Sequence, residues 1–545
     1  MKIAIAQLNY HVGNFDGNLL KMLQAVDAAK ANGADMIIFG ELATCGYPPR
    51  DFLEFRDFIR LANESIEKLK EVSDYIGIAV GSPSINPFLE GKDLHNSAYF
   101  IYNGEILHVQ HKTLLPTYDV FDEYRYFEPG TEHKTFMFKG KRIALTICED
   151  LWNVGNENPL YTISPMDIMI NEKPDIMVNV SASPFDYDHA ADRLDVLREN
   201  VERYNIPLFY SNIVGAQTEI IFDGGSVVFS PDGTVYDELP YFIEDMRYYD
   251  LNDVMKGREP AEQPKEKIEM IHDAIILGLS DYFGKLGLQK AILGLSGGID
   301  SAITAVMATR ALGKENVRGV LMPSPYSTSH SVDDAKALAE NLGIQHDIIK
   351  IKEPYEAFLQ ILEPVLEGKP FDVTEENIQA RCRAIILMAI ANKHGYVLLN
   401  TTNKSEFSVG YGTLYGDLAG GISVLGDVYK TEIYELAKYI NKDEQIIPQN
   451  SMTKAPSAEL RPNQKDSDSL PEYPILDPIL YMYIEHRLGP QEIIAMGYDE
   501  ALVRRILKLV NTSEFKRHQT APVLRVSPKA FGVGRRMPIV GKYLI

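Results

Sequence analysis

Cysteine is scarce in this chain. Three occur in 545 residues, Cys45, Cys148 and Cys382. Three thiols build no disulfide framework, so a reducing cytoplasm is the expected setting. Long apolar runs are missing too. No stretch resembles the roughly 20 apolar residues of a membrane-crossing helix. The opening MKIAIAQLNY runs into a strand pattern rather than a secretory leader, so neither secretion nor membrane insertion is expected. Basic residues are outnumbered: 54 Lys and Arg face 76 Asp and Glu, a net charge of −22. Such a surface repels phosphate backbones, which argues against nucleic acid and membrane surfaces as partners. A nucleotide held in a local site remains compatible. Repeats and low-complexity tracts are absent. The length exceeds what one core supports, so two domains, or three, are expected.

What is present reads as two α/β regions. In residues 1–250, short apolar runs (Ile3–Ala6, Met36–Phe39, Ile78–Val80, Ile143–Ile147, Ile176–Asn179) read as strands, and segments such as Asn18–Asn32 carry apolar residues at helical spacing. Asn103-Gly104 and Asp232-Gly233 mark hairpins. Residues 251–267 are charged, contain two prolines and read as a linker. From 268 to 545 a helix (Ile268–Phe283) precedes strand candidates Val317–Met322, Asp347–Ile351 and Tyr396–Asn400, alternating with helices such as Val332–Leu342. That alternation predicts a doubly wound parallel sheet with ligands at the carboxyl ends of its strands. The polar stretch Ser451–Pro474 reads as a long ordered loop or a lid. The basic tail Arg525–Arg536 reads as a solvated face, or as a contact for an anionic ligand or a neighbouring subunit.

The most informative stretch is AILGLSGGIDSA, Ala291–Ala302. It reads as a strand to Leu295, a tight turn over Ser296, Gly297, Gly298, Ile299, Asp300 and Ser301, and then a helix. Adjacent glycines admit a ligand close to the backbone. The free N–H groups at a helix start favour an anion. Asp300 beside that anion is tolerable with a divalent cation between them. A Walker loop would supply a lysine here, and none is present. A bare Gly-Gly turn is common, but the whole SGGIDS run resembles the loop of the ATP pyrophosphatase superfamily, whose members cleave ATP to AMP and pyrophosphate while adenylylating a substrate. The resemblance places Gly294, Leu295, Ser296, Gly297, Gly298, Ile299, Asp300 and Ser301 around ATP.

Three stretches of the first region carry chemistry: Glu41 in FGELATCGYPP, Lys112 in QHKTLLPTY and Cys148 in TICEDLW. Singly, each has a bland reading: a helix cap, a solvated lysine, a small buried residue. Together they fall at or just past strand ends, where α/β sites collect, and they resemble the nitrilase superfamily of amidases. VNVSASPF (Val178–Phe185) and NIVGAQTEIIFDGGS (Asn212–Ser226) look like later blocks of the same fold. A thiolate nucleophile, a glutamate that takes and returns its proton, and a lysine that donates to the oxyanion make a consistent set. The resemblance implies an α-β-β-α sandwich that attacks a glutamine amide at Cys148 and releases ammonia. It puts Tyr118, Ser183 and His189 against glutamine. The chain departs from the glutamine-dependent members of that fold at Asp188-His189, where a Gly-Lys pair is usual.

Downstream, ENIQARCR (Glu376–Arg383), LNTTNKSEFSVG (Leu399–Gly410), Tyr411–Thr431 and Lys454–Tyr473 follow in an order that resembles the NAD synthetases. With the amidase region in front, the chain resembles the glutamine-dependent members of that family. The resemblance implies an adenine nucleotide alpha hydrolase-like domain that amidates deamido-NAD with ATP and glutamine. It assigns Asn377, Glu406 and Lys516 to deamido-NAD and Thr401 to ATP; Asp300 and Glu406, carboxylates next to nucleotide phosphates, are expected to hold Mg²⁺. It also implies a homo-oligomer with paired synthetase domains. Two rival readings are another ATP pyrophosphatase amidotransferase, making GMP or asparagine, and a non-catalytic nitrilase-like scaffold with a nucleotide-sensing domain.

Overall fold

A computed structural model of the chain describes residues 1–156, 160–258 and 266–544. The chain divides into two compact units, Met1–Lys265 and Glu266–Ile545. The segment read as a linker, 251–267, starts as a helix, Leu251–Lys256, belonging to the first unit. Asp250 caps it by accepting from Asn252 N–H, and it buries Leu251 and Val254. The polar, proline-containing remainder, 259–265, lies outside the described residues.

The strands of the first unit, in chain order, are β1 (Lys2–Gln7), β2 (Met36–Ile38), β3 (Gly77–Ile85), β4 (Leu94–Tyr102), β5 (Glu105–His111), β6 (Phe136–Phe138), β7 (Lys141–Ile147), β8 (Ile176–Ser181), β9 (Leu208–Asn212), β10 (Val214–Gln217), β11 (Ile220–Asp223), β12 (Val227–Phe229), β13 (Val235–Glu238) and β14 (Asp245–Asp250). Two six-stranded sheets form, in the orders β14-β1-β2-β3-β4-β5 and β13-β12-β9-β8-β7-β6, and β10–β11 is a separate hairpin. Strand periodicity decides the layers. On β1, Ile3 and Ile5 join Ile143, Leu145 and Val178 of the other sheet in one core. The alternate residues Ala4 and Ala6 pack instead with Met22, Val26, Phe58 and Ile66 of the helices Phe15–Ala31 and Arg56–Glu71. On the far side, Ala144, Met177 and Leu208 pack with Leu197 and Val201 of the helix His189–Tyr204. The result is a helix–sheet–sheet–helix sandwich. Strands covered on both faces explain why their sequences are continuously apolar.

The second unit carries β15 (Lys290–Gly294), β16 (Val317–Leu321), β17 (Gln345–Ile348), β18 (Tyr396–Asn400) and β19 (Ile422–Ser423). Their order is β17-β16-β15-β18-β19, every neighbouring pair parallel. The order reverses between β15 and β18, so the crevice of a doubly wound sheet opens past the carboxyl ends of these two strands. The third strand runs Gln345–Ile348, two residues ahead of the span expected at Asp347–Ile351, because polar Gln345 and His346 pair in register with Arg318 and Gly319.

Candidate active sites

In the first unit, Glu41, Lys112 and Cys148 stand just past the carboxyl ends of β2, β5 and β7. All three are buried, Lys112 completely. Lys112 Nζ donates to Glu41 Oε1 and to Glu123 Oε1, both at 2.7 Å. Glu41 also accepts from Asn96 Nδ2 at 2.6 Å and from the Ala182 N–H at 3.0 Å. Glu123 accepts from Tyr47 OH at 2.8 Å. Burial disfavours the charged form of Lys112, but Glu123 and Glu41 outweigh it and hold the ammonium well above its ordinary range. Burial raises Glu123 from 4.5 to about 7, against the lowering effect of Lys112.

Cys148 has φ +41°, an uncommon value for a side-chain-bearing residue. Its turn is pinned by Asp150, whose Oδ1 accepts from the Thr113 and Leu114 N–H groups at 2.9 Å and whose Oδ2 accepts from Ile147 N–H at 3.2 Å. One carboxylate thus ties the cysteine turn to the segment after Lys112. Burial pushes the Cys148 thiol up; the Glu41 charge adds to this and the Lys112 ammonium opposes it. The thiol is therefore protonated at rest, and attack must be accompanied by proton removal.

The three residues expected around glutamine are each held by a neighbour. Tyr118 OH donates to both Glu149 oxygens at 3.0 and 3.2 Å, and Tyr161 OH to Oε1 at 2.7 Å. Ser183 Oγ meets His189 Nε2 at 2.9 Å, and His189 stacks on Trp152 with centroids 5.0 Å apart and planes 4° from parallel. Glu123, Glu149 and Asp150 were not singled out from sequence. Glu123 sits in a charged run, DEYR, that reads as surface, while Glu149 and Asp150 read as ordinary acidic neighbours of Cys148.

In the second unit, the helix after β15 begins at Ile299, three residues earlier than its expected start at Ala302, so Asp300 and Ser301 belong to its first turn. Ser301 Oγ lies 3.0 Å from Ser296 Oγ and donates to Gly298 O at 3.1 Å, and Gly298 N–H donates to Ser296 Oγ at 3.1 Å. Gly297 has φ +77°, and a Cβ there would overlap the Ser331 carbonyl oxygen. The loop lines a cavity of ≈ 320 Å³ with Val320, Met322, Leu387 and Leu398 on its apolar side and Arg383, Thr401, Glu406, Lys430 and Asp466 among its polar groups.

Lys430 Nζ donates to Asp300 Oδ2 at 2.5 Å and to Glu406 Oε1 at 3.2 Å. Asn403 Nδ2 donates to Asp300 Oδ1 at 3.1 Å, and Tyr473 OH donates to Asp466 Oδ2 at 3.0 Å. Burial raises Glu406 to about 7, helped by the Asp300 and Asp466 charges and opposed by Lys430. The stretch Ser451–Pro474 is docked over this cavity: Ser451 Oγ donates to Gly297 O at 2.9 Å, and Glu459 accepts from Ser331 Oγ at 2.7 Å and Thr328 Oγ1 at 3.0 Å.

Of the residues expected at the nucleotide, Gly294, Leu295, Ser296, Gly298, Ile299, Asp300, Ser301, Thr401 and Glu406 line the cavity. Gly297 faces Ser331 and Ser451 instead. Asn377 and Lys516 stand apart on either side of one loop: Thr413 Oγ1 donates to Asn377 Oδ1 at 2.7 Å, and Lys516 Nζ donates to the Gly410 and Gly412 carbonyls at 2.8 Å. The basic tail is not a solvated face at its start. Arg525 and Ser527 are buried, and the Val526 and Ser527 N–H groups donate to Asp427 Oδ2 at 2.8 and 2.7 Å. Lys430 was missed, since one lysine in VYKTE carries no signal without the fold.

A buried Glu–Lys–Cys set in a double sandwich, and a phosphate-type loop at the switch point of a parallel sheet, define the class: an amidase unit and a nucleotide-activating unit on one chain, the composition of an amidotransferase. The carbon–nitrogen hydrolase family model matches residues 2–257 and the NAD synthase model residues 271–520. The glutamine-dependent NAD(+) synthetase of Synechocystis sp. is 45% identical over 548 residues, covering 98% of each chain. That of Thermotoga maritima is 39% identical over 100% of this chain and 99% of its own. The solved glutamine-dependent NAD+ synthetase of Acinetobacter baumannii, in complex with adenosine diphosphate, is 37% identical with TM-score 0.79 and 99% of each chain covered. The chain belongs to the glutamine-dependent NAD(+) synthetase family and is a carbon–nitrogen ligase with glutamine as amido donor. Neither rival reading is favoured by these relatives.

Proposed function

We propose that Cys148 is the glutaminase nucleophile, Glu41 its general base and acid, and Lys112 the oxyanion donor. The observation that carries this is the buried Lys112 ammonium clamped by two carboxylates beside a protonated thiol. Glu41 removes the thiol proton as Sγ attacks the amide carbon of glutamine, then hands it to the departing ammonia. Lys112 stabilises the tetrahedral oxygen; one such donor is typically worth about 3–4 kcal/mol of barrier. Water, activated by Glu41, releases glutamate from the thioester. Tyr118, Ser183 and His189 hold glutamine, with Glu149 placed to take its ammonium.

In the second unit, ATP occupies the cavity with its phosphates at Ser296–Ser301 and Thr401 beside it. The nicotinic carboxylate of deamido-NAD, held through Asn377, Glu406 and Lys516, attacks the α-phosphorus. Pyrophosphate leaves, ammonia attacks the acyl-adenylate, and NAD and AMP result. Alignment and charge stabilisation do this work. Asp300 and Glu406 are the carboxyl groups that would hold Mg²⁺: they stand with Asp466 at the loop, and Lys430 Nζ bridges Asp300 and Glu406. Among the described residues no three side chains alone form a metal cage, which suits an ion that takes one or two carboxylates plus phosphates. When bound, the ion would supply charge neutralisation for the phosphates.

Ammonia is mostly protonated at neutral pH, so its transfer to the adenylate without equilibration with bulk solvent is part of this reading. So is self-association. Phe358, Ile361 and Val365 on the helix Lys352–Leu366, and Ile385 and Met388 on the helix Val373–His394, are exposed apolar residues on one unit, and a second copy pairing synthetase domains would cover them. No helix among the described residues is long and apolar enough to cross a membrane; reduced, buried thiols suit a cytoplasmic setting. Offering deamido-NAD, xanthosine monophosphate and aspartate separately, each with ATP and glutamine, tests the reading. AMP should form with deamido-NAD alone.

A further inference from the structure

The DGGS stretch of the first unit has no part in the chemistry above, yet it closes a ring around the glutamine-side residues. Asp223 ends β11 and is completely buried, as is Arg193 on the helix His189–Tyr204. Arg193 Nη1 and Nη2 donate to Asp223 Oδ1 and Oδ2 at 2.9 and 2.8 Å, a two-pronged pair. Asn212, at the end of β9, is the next link. Its Nδ2 donates to Asp223 Oδ1 at 3.4 Å, to Gly224 O at 2.8 Å and to Ser183 O at 3.3 Å, and its Oδ1 accepts from Ser183 N–H at 2.8 Å. Ser183 Oγ then meets His189 Nε2 at 2.9 Å. His189 and Arg193 are four residues apart on one helix, hence on one face, and the ring closes.

The two glycines make room for it. At Gly225, φ +59°, a Cβ would lie 2.9 Å from Arg193 Nη2 and 2.7 Å from the Tyr241 ring; at Gly224, φ +73°, it would overlap the Gln7 amide. Buried ion pairs are poor sources of stability, and Arg193 Nε is left without a hydrogen-bond partner, but the two-pronged pair fixes the orientation of both side chains.

We infer that Arg193, Asp223 and Asn212 are positioning residues that fix Ser183 and His189 for glutamine, so that the DGGS stretch governs glutamine affinity without touching the substrate. The inference rests on the assignment of Ser183 and His189 to glutamine. The test uses the full chain and compares Arg193→Lys, which keeps the charge and loses the fork, with Asp223→Asn, which keeps the shape and loses the charge. Glutamine-supported and ammonium-supported NAD formation are measured for each, with Ser183→Ala alongside. Both ring variants should raise the KM for glutamine by about tenfold, a loss of roughly 1.4 kcal/mol, with little change in kcat and with ammonium-supported synthesis kept as the sign of an intact fold. The double variant Arg193→Met/Asp223→Leu removes the buried charges together; it should regain thermal stability over Asp223→Asn while its glutamine KM stays high. A KM that recovers along with stability would make the ring merely structural and overturn the inference. So would an unchanged KM in both single variants while Ser183→Ala raises it. An unchanged KM in Ser183→Ala would remove the glutamine assignment itself and the inference with it.

Discussion

Cys148 is buried and burial holds its thiol protonated, so under the proposed mechanism its reactivity depends on Glu41 rather than on a resting thiolate. Glu41→Gln should keep the fold and lower glutamine hydrolysis by about 10²–10⁴-fold, as expected for loss of a general base; thioester formation measured by rapid quench checks this. Glu123 gives a pH signature. Its folded value of about 7 lies above the ordinary 4.5, so the native state holds a proton there that the unfolded chain releases. The stability this contributes is full below pH 4.5 and is lost as pH rises through 7, by about 1.4 kcal/mol per pH unit inside that window. Urea unfolding can be followed by fluorescence of the single tryptophan, Trp152. Wild type should lose stability relative to Glu123→Gln between pH 5 and 7; parallel curves would show that Glu123 does not titrate there. Glu41, Lys112 and Cys148 were legible because each sits at a strand end in a recognisable stretch. Glu123, Glu149 and Lys430 were not, because a carboxylate or ammonium becomes informative only when the fold buries it against its partners: Glu123 meets Tyr47 across 76 residues and Lys430 meets Asp300 across 130.

Among elements, the SGGIDS loop and the segment over it work as a pair. The strand, the turn and the helix of the loop could be read locally, since glycine geometry and helix starts are local properties. The helix start itself shifted to Ile299 because Gly298, not Ser301, provides the last extended residue before the helix. The state of Ser451–Pro474 could not be read, because its hydrogen bonds to Gly297, Thr328 and Ser331 join segments more than 100 residues apart. Glu459→Ala removes the acceptor for two hydroxyls and should raise the KM for ATP several-fold, as loss of about 1 kcal/mol would. Proteolysis within 451–474 should quicken in the same variant. Gly297→Ala should abolish adenylate formation, because its backbone at φ +77° and the Ser331 carbonyl both exclude a Cβ; unchanged pyrophosphate release would contradict the loop geometry.

For the whole molecule, the two α/β regions follow from apolar periodicity, whereas the helix–sheet–sheet–helix layering of the first was expected only from the family resemblance. What composition hid was the helix Leu251–Lys256, whose Leu251 and Val254 are buried by tertiary packing rather than marked by a long apolar run. The exposed apolar face around Ile361 and Val365 belongs to this scale. Ile361→Glu with Val365→Glu should reduce self-association, read by sedimentation velocity, and an unchanged mass would place the subunit contact elsewhere. Under the proposed mechanism nitrogen release and acceptor activation are divided between the units, and comparing wild type with Cys148→Ala in NAD formation from glutamine and from ammonium tests that division most directly. The variant should lose glutamine-supported synthesis and keep ammonium-supported synthesis. Loss of both in a folded variant, or retention of the glutamine-supported rate, would contradict it.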